Sequence, residues 1–138
     1  MKTREELVAI ALAHARSESG DDIELTLSTL EPDPVYELQP VGRVLRGMPA
    51  ARRYYEHFFA HFRPRVRGVE LRGEWVTDEG VGQEYVIRLA TVEGGEERHA
   101  VIGILTFGRE ALSGERVYAS ERLLRLMFGP AYDLSEPL

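Results

Sequence analysis

At 138 residues the chain is long enough to bury a real core and short for two domains, so one domain over 1–138 is expected. Hydrophobic residues make up 43% and charged residues 29%, a globular profile, and the absence of cysteine excludes disulfides, thiolate catalysis and thiolate-held zinc. The net charge of −6 argues against a phosphate backbone as main partner, and the apolar runs are too short for a membrane span, so neither nucleic acid nor membrane is expected.

Thr3-Arg4-Glu5-Glu6 has the form of a capping box. Leu7, Val8, Ile10, Ala11 and Ala15 follow at helical spacing, with Ser19-Gly20 as the stop. This charged N-terminus lacks the apolar stretch of a signal peptide, and a cytoplasmic location is expected. Asp21-Asp22 opens a short helix toward Leu27, although Ile23, Leu25 and Leu27 read equally well as a strand; Pro32 and Pro34 are expected to end either one. Two short extended segments, Val35 to Leu38 and Val41 to Arg46, flank Pro40.

Gly47-Met48-Pro49 starts the clearest helix, with proline in its first turn. Ala51, Tyr54, Tyr55, Phe58, Phe59 and Phe62 form an unbroken apolar stripe, with Arg52, Arg53, Glu56, His57 and His61 on the other side and Pro64 as terminator. The period then becomes extended over about 65–77, 81–92, 98–107 and 112–119, with glycine in each intervening turn. Consecutive hairpins imply an antiparallel meander, and 120–128 reads as a last short helix stopped by Gly129-Pro130. Long strands twist and coil, so the sheet acquires a concave face that the Tyr/Phe stripe fills only in part, leaving a cavity. Gly68, Gly73 and Gly103 are the expected bend or bulge points. The expected class is therefore α+β: a strongly curved antiparallel sheet wrapped around a long helix, with an apolar pocket.

Three stretches carry a family likeness: Asp33 to Gly42, Leu45 to Glu56 and Gly114 to Leu124. In element order and in these residues the chain resembles the nuclear transport factor 2-like superfamily with its cystatin-like cone, and within it the SnoaL-like branch. That scaffold hosts isomerases, polyketide cyclases, hydrolases, dehydratases and noncatalytic adaptors. The resemblance implies an acid two residues after Tyr118, where this chain has Ser120. It implies a general base at the position of Gln39 and an oxyanion-stabilising acid near Gly103. None of these residues shuttles a proton as that chemistry requires.

His99 is then the best catalytic candidate, since Arg98 to Phe107 alternates and puts His99, Val101, Gly103, Leu105 and Phe107 on one face. A tight last hairpin sets it roughly opposite Ser120, which otherwise makes a good N-cap for the terminal helix. His14, flanking the first apolar stripe, reads as a pocket-mouth residue or a hydrogen-bonded core histidine. His57 and His61 lack the third ligand and the pattern of a metal site, and read as surface residues. The only lysine, Lys2, excludes a buried Schiff base.

Tyr36, Tyr54, Tyr55, Phe58, Trp75, Tyr85 and Tyr118 compose the expected aromatic lining, with Gln39, Gly103 and Ser120 beside them; Glu84 and Arg88 are expected on the outer face. The expected ligand is a small apolar, ring-containing molecule, and any chemistry is noncovalent acid/base work without cofactor or metal. The alternative is a noncatalytic module. Val86, Ala100, Ile102 and Ile104 suggest an outer sheet face that pairs two copies into a homodimer.

Overall fold

A computed structural model describes residues 1–138. In chain order the elements are α1 (Arg4–Ser17), α2 (Ile23–Leu27), β1 (Leu30–Gln39), β2 (Arg43–Arg46), α3 (Met48–His57), β3 (Val66–Val76), β4 (Gly80–Ala90), β5 (Glu96–Phe107), β6 (Leu112–Tyr118), α4 (Glu121–Phe128), α5 (Pro130–Asp133) and β7 (Glu136–Pro137). The seven strands form one sheet in the order β3-β4-β5-β6-β1-β2-β7. The four long strands pair antiparallel as a meander, while β6 and β1 run parallel. None of the helices is long and apolar enough to cross a membrane.

Local chemistry sets the helix starts. Thr3, Asp22 and Ser120 each accept a backbone N–H two or three positions into α1, α2 and α4. Helix wins over strand at Ile23–Leu27 because Asp22 caps it and Thr26 and Leu27 bury their side chains. Pro32 and Pro34 do not end an element, as the sequence suggests; they lie inside β1, where the pairing with β6 is broken between Leu30 and Val35 and no ladder hydrogen bond is demanded of them. The helix begun by α3 continues as a π-helical turn over Phe58–Phe62, in which the Arg63 N–H reaches the Phe58 carbonyl, and ends in a short 3-10 turn containing Pro64.

The sheet wraps α3. Tyr54 stacks on Phe128 of α4 with ring centroids 3.9 Å apart, and Tyr36, Tyr55, Phe62, Leu123 and Leu124 are fully or almost fully buried around it. Register shifts in β3 fall between Val66 and Gly68 and between Leu71 and Gly73, two of the expected bend points, whereas Gly103 pairs in unbroken register with Gln83 and Val117 and the bulge of that hairpin falls at Thr106/Phe107. Gly114 sits at φ +145°, packed so closely on the Val35 backbone that any side chain would overlap it; glycine is what lets β1 and β6 meet. The last strands fold back through α4 and α5, whose Gly129 leaves room for the His57 ring.

Candidate functional site: a carboxyl pair in an apolar cavity

Between the end of α1, the π-helical turn and the inner face of the sheet lies a cavity of about 760 Å³, within the size range of small-molecule sites. Its walls are Tyr54, Phe58 and Phe62 from the helix, and Tyr85, Ile87, Leu105 and Val117 from the strands. The outer wall is the edge strand β3, whose Val69 and Leu71 remain 61% and 55% exposed. These two side chains face the cavity, but α3 does not extend far enough to cover them, so the cavity opens there.

Two carboxyl groups reach this apolar space. Glu115 on β6 pairs with Leu105 and with Tyr36, inward-facing positions of β5 and β1, and its side chain is therefore carried inside. The residue is 9% exposed. Its carboxylate lies over Gly103: a Cβ there would come within 2.6 Å of Glu115 Oε2. Burial, and then repulsion from Glu18, push the Glu115 carboxyl well above its ordinary value, which favours its protonated form. Glu18, at the end of α1, supplies the second carboxyl on the same cavity.

Beside the pair runs a buried hydrogen-bond chain. The Tyr36 and Tyr55 hydroxyls are 2.7 Å apart, and Tyr55 is 2.9 Å from His14 Nε2 and donates to Glu18 Oε2 at 3.1 Å. His14 Nδ1 is 2.6 Å from Thr29 Oγ1, whose own proton goes to the Thr26 carbonyl. Thr29 must then accept, so Nδ1 carries a proton, and the Tyr55 proton is directed to Glu18 Oε2 with His14 Nε2 beside the same phenol oxygen. Burial raises the Tyr36, Tyr54, Tyr55 and Tyr85 hydroxyls well above their ordinary value, keeping them neutral donors. Ligand atoms of His14, Glu18 and Glu115 lie within 4.8 Å of one another. These are residue types that hold a divalent cation, but His14 Nε2 is already engaged by Tyr55, and binding an ion there would break that bond.

The sequence-derived candidates divide. Tyr54, Phe58, Tyr85 and Gly103 line the cavity, and Tyr36 and Tyr55 form the hydrogen-bond chain behind it. His99 stands outside it, near the end of β5, with Nε2 2.8 Å from Glu97 Oε1. Arg122 of α4 grips the same carboxylate, and these two partners, Arg122 first, hold Glu97 down at about 2. Tyr118 pairs with Ile102 on the outer face, and both are exposed. Trp75 lies there too, over Gly82. Gln39 pairs with Tyr118 and shares its face, and Ser120 caps α4 at 3.1 Å. Tyr118, Trp75 and Gln39 lie on the convex side because strand alternation carries them away from α3, whereas His99, paired with Ile87, keeps the inward face but sits toward α4 beyond the cavity lining. His57 is no free surface residue: its Nε2 is 2.8 Å from the Leu126 carbonyl, while His61 is exposed. His14 is the core histidine of the two readings, fully buried. Glu84 and Arg88 are exposed on the outer face as expected.

By sequence the chain matches no family description and no curated relative. By structure it is similar to an NTF-2 like protein of unknown function from Burkholderia xenovorans LB400 at 20% identity, with a TM-score of 0.64, covering 86% of this chain and 87% of that one. The fold is nuclear transport factor 2-like. It is also similar to SalBIII, an epoxide hydrolase/cyclase-like enzyme of pyran ring formation in the polyether salinomycin, at 15% identity and a TM-score of 0.70 over 88% of this chain and 96% of that one. A de novo designed protein with a curved β-sheet reaches 0.68 at 16% identity, over 96% and 99% of the two chains. A nuclear transport factor 2-like cone thus occurs in an enzyme and in a designed chain alike, and chemistry has to be argued from the cavity.

Proposed function

We propose that the cavity binds a small, mostly apolar, ring-containing molecule and that Glu115 and Glu18 act on it as an acid/base pair, without a cofactor, in SnoaL-like isomerase, cyclase or hydrolase chemistry. The observation that carries this reading is the buried Glu115 carboxyl, pushed well above its ordinary value by burial and lying beside a second carboxyl in a cavity with mostly apolar walls. A carboxyl pushed up in this way donates its proton to an oxygen of the ligand, and the second carboxyl accepts one from water or from carbon. The resemblance placed an oxyanion-stabilising acid near Gly103; Glu115 reaches the space above that glycine from the neighbouring strand. SalBIII, with its epoxide hydrolase/cyclase-like description, supports the reaction class by analogy.

The test is turnover of a panel of cyclic epoxides and β,γ-unsaturated cyclic ketones, followed by chromatography. Wild type is expected to convert at least one of them, with Glu115→Gln reducing kcat by about 10²–10⁴-fold, the usual worth of a general acid. Full activity in Glu115→Gln would remove the acid role. Loss of wild-type activity on adding EDTA would make the His14/Glu18/Glu115 trio a metal site instead. Binding without conversion of any panel member would favour the noncatalytic module.

A further inference from the structure

Arg16, Arg63 and Arg67 line the cavity from the end of α1 and the approach to β3, on the same side as Glu18, while Glu115 on β6 is held deeper. Acids outnumber bases 23 to 17 in this chain, and six of the thirteen arginines away from the cavity reach a carboxylate, among them Arg52 with Glu24, Arg88 with Glu96, Arg122 with Glu97 and Arg125 with Glu121. The three at the cavity find none. Arg63 donates to the Ser19 carbonyl and Arg67, weakly at 3.4 Å, to that of Pro64. Most of the remaining lining is apolar or aromatic, with Gln83 and Ser19 among it.

We infer that the ligand is an amphipathic anion: an apolar, ring-bearing body with a carboxylate or phosphate at one end. The anion sits at the mouth among Arg16, Arg63 and Arg67, and the neutral reacting oxygen points inward to Glu115. Guanidiniums bind either oxyanion through paired charge-assisted hydrogen bonds, and a basic mouth on a chain of net charge −6 concentrates anions locally where the rest of the surface repels them. The reverse orientation would bury an ionised group beside the deep Glu115 carboxyl at a large desolvation cost. This inference rests on the proposed ligand-binding role of the cavity and adds the class and direction of what it holds.

Four matched probes decide it by calorimetry at pH 7.5: 2-naphthoate, 2-naphthyl phosphate, 2-naphthalenemethanol and 2-naphthylmethylammonium. At least one anion is expected to bind tenfold or more tightly than the alcohol, and which one leads separates a carboxylate ligand from a phosphorylated one. Arg16→Gln/Arg67→Gln should bring the anions down to the alcohol's affinity, while Arg46→Gln, exposed on β2 away from the cavity, keeps the preference. Should the double variant fail to fold, the wild-type preference must still shrink between 50 and 500 mM salt. Equal binding of anion and alcohol, or tightest binding of the ammonium, overturns the amphipathic anion and leaves the acid/base reading standing. Failure of all four probes to bind removes both.

Discussion

The two sides of Tyr54 show what the same sheet does when it is covered and when it is not. Toward α4, the Tyr54 ring stacks on a fully buried Phe128, and Tyr36, Tyr55 and Leu123 close the space completely. Toward β3, the same ring looks into a cavity whose far wall, Val69 and Leu71, stays more than half exposed. Both sides are apolar. What differs is whether a second layer faces them: α4 and α5 fold back over one half, and nothing in the chain returns over the other. Stability therefore resides in the first half, and the proposed ligand site lies in the second, a division that variants can test.

The largest expected effect is in the closed half. Phe128→Ala should cost about 3–5 kcal/mol in denaturant unfolding, because the stacked ring leaves a cavity that cannot collapse. Leu71→Ala, in the open half, should stay within about 0.5 kcal/mol while weakening ligand binding. Equal losses would break the comparison. Next is Tyr55→Phe, which strands His14 Nε2 and the Tyr36 hydroxyl inside the protein and should cost about 1–3 kcal/mol.

Glu115→Gln sharpens the comparison through pH. The folded carboxyl holds its proton above the unfolded value of about 4.3, so the native state binds more protons than the unfolded one in that window. Wild-type stability should accordingly fall as pH rises above that value, by up to about 1.4 kcal/mol per unit, until the raised folded value is passed. Glu115→Gln removes this slope, and its thermal midpoint should exceed wild type at pH 7.5 but not at pH 4. A variant with the wild-type slope would show that Glu115 is ionised. The smallest effect is expected at His99→Ala, where Arg122 still holds Glu97: thermal midpoint, probe binding and turnover should all stay at wild-type values.

How the acid escaped notice in the sequence is a matter of register. Phe107 pairs with Leu112 next to the last turn, and that register carried along the hairpin sets His99 opposite Ser120. A bulge follows at once, and from Thr106 and Gly114 onward the pairing is displaced by one residue. In a strand pair, one residue exchanges the two faces, so the displacement brings Glu115 inside opposite Leu105 and leaves His99 beyond the paired stretch. The alternation of β5 itself was legible, since Val101, Gly103 and Leu105 do face inward. Trp75 and Tyr118 were lost to the same ambiguity, because an aromatic side chain suits either face of a curved sheet.

The amino-acid sequence by itself determined what depends on neighbours along the chain. The caps at Thr3 and Ser120, the Tyr/Phe stripe of α3, the glycine turns and the alternation of the long strands are all short-range patterns, and together they specify the cone. Only the tertiary structure decided which acid lies in the cavity, which arginines frame its mouth and that His14 joins Tyr55 in a buried chain. Those facts depend on residues 40 and more positions apart, such as His14 of α1 and Tyr55 of α3, meeting in space, and no local period encodes that meeting.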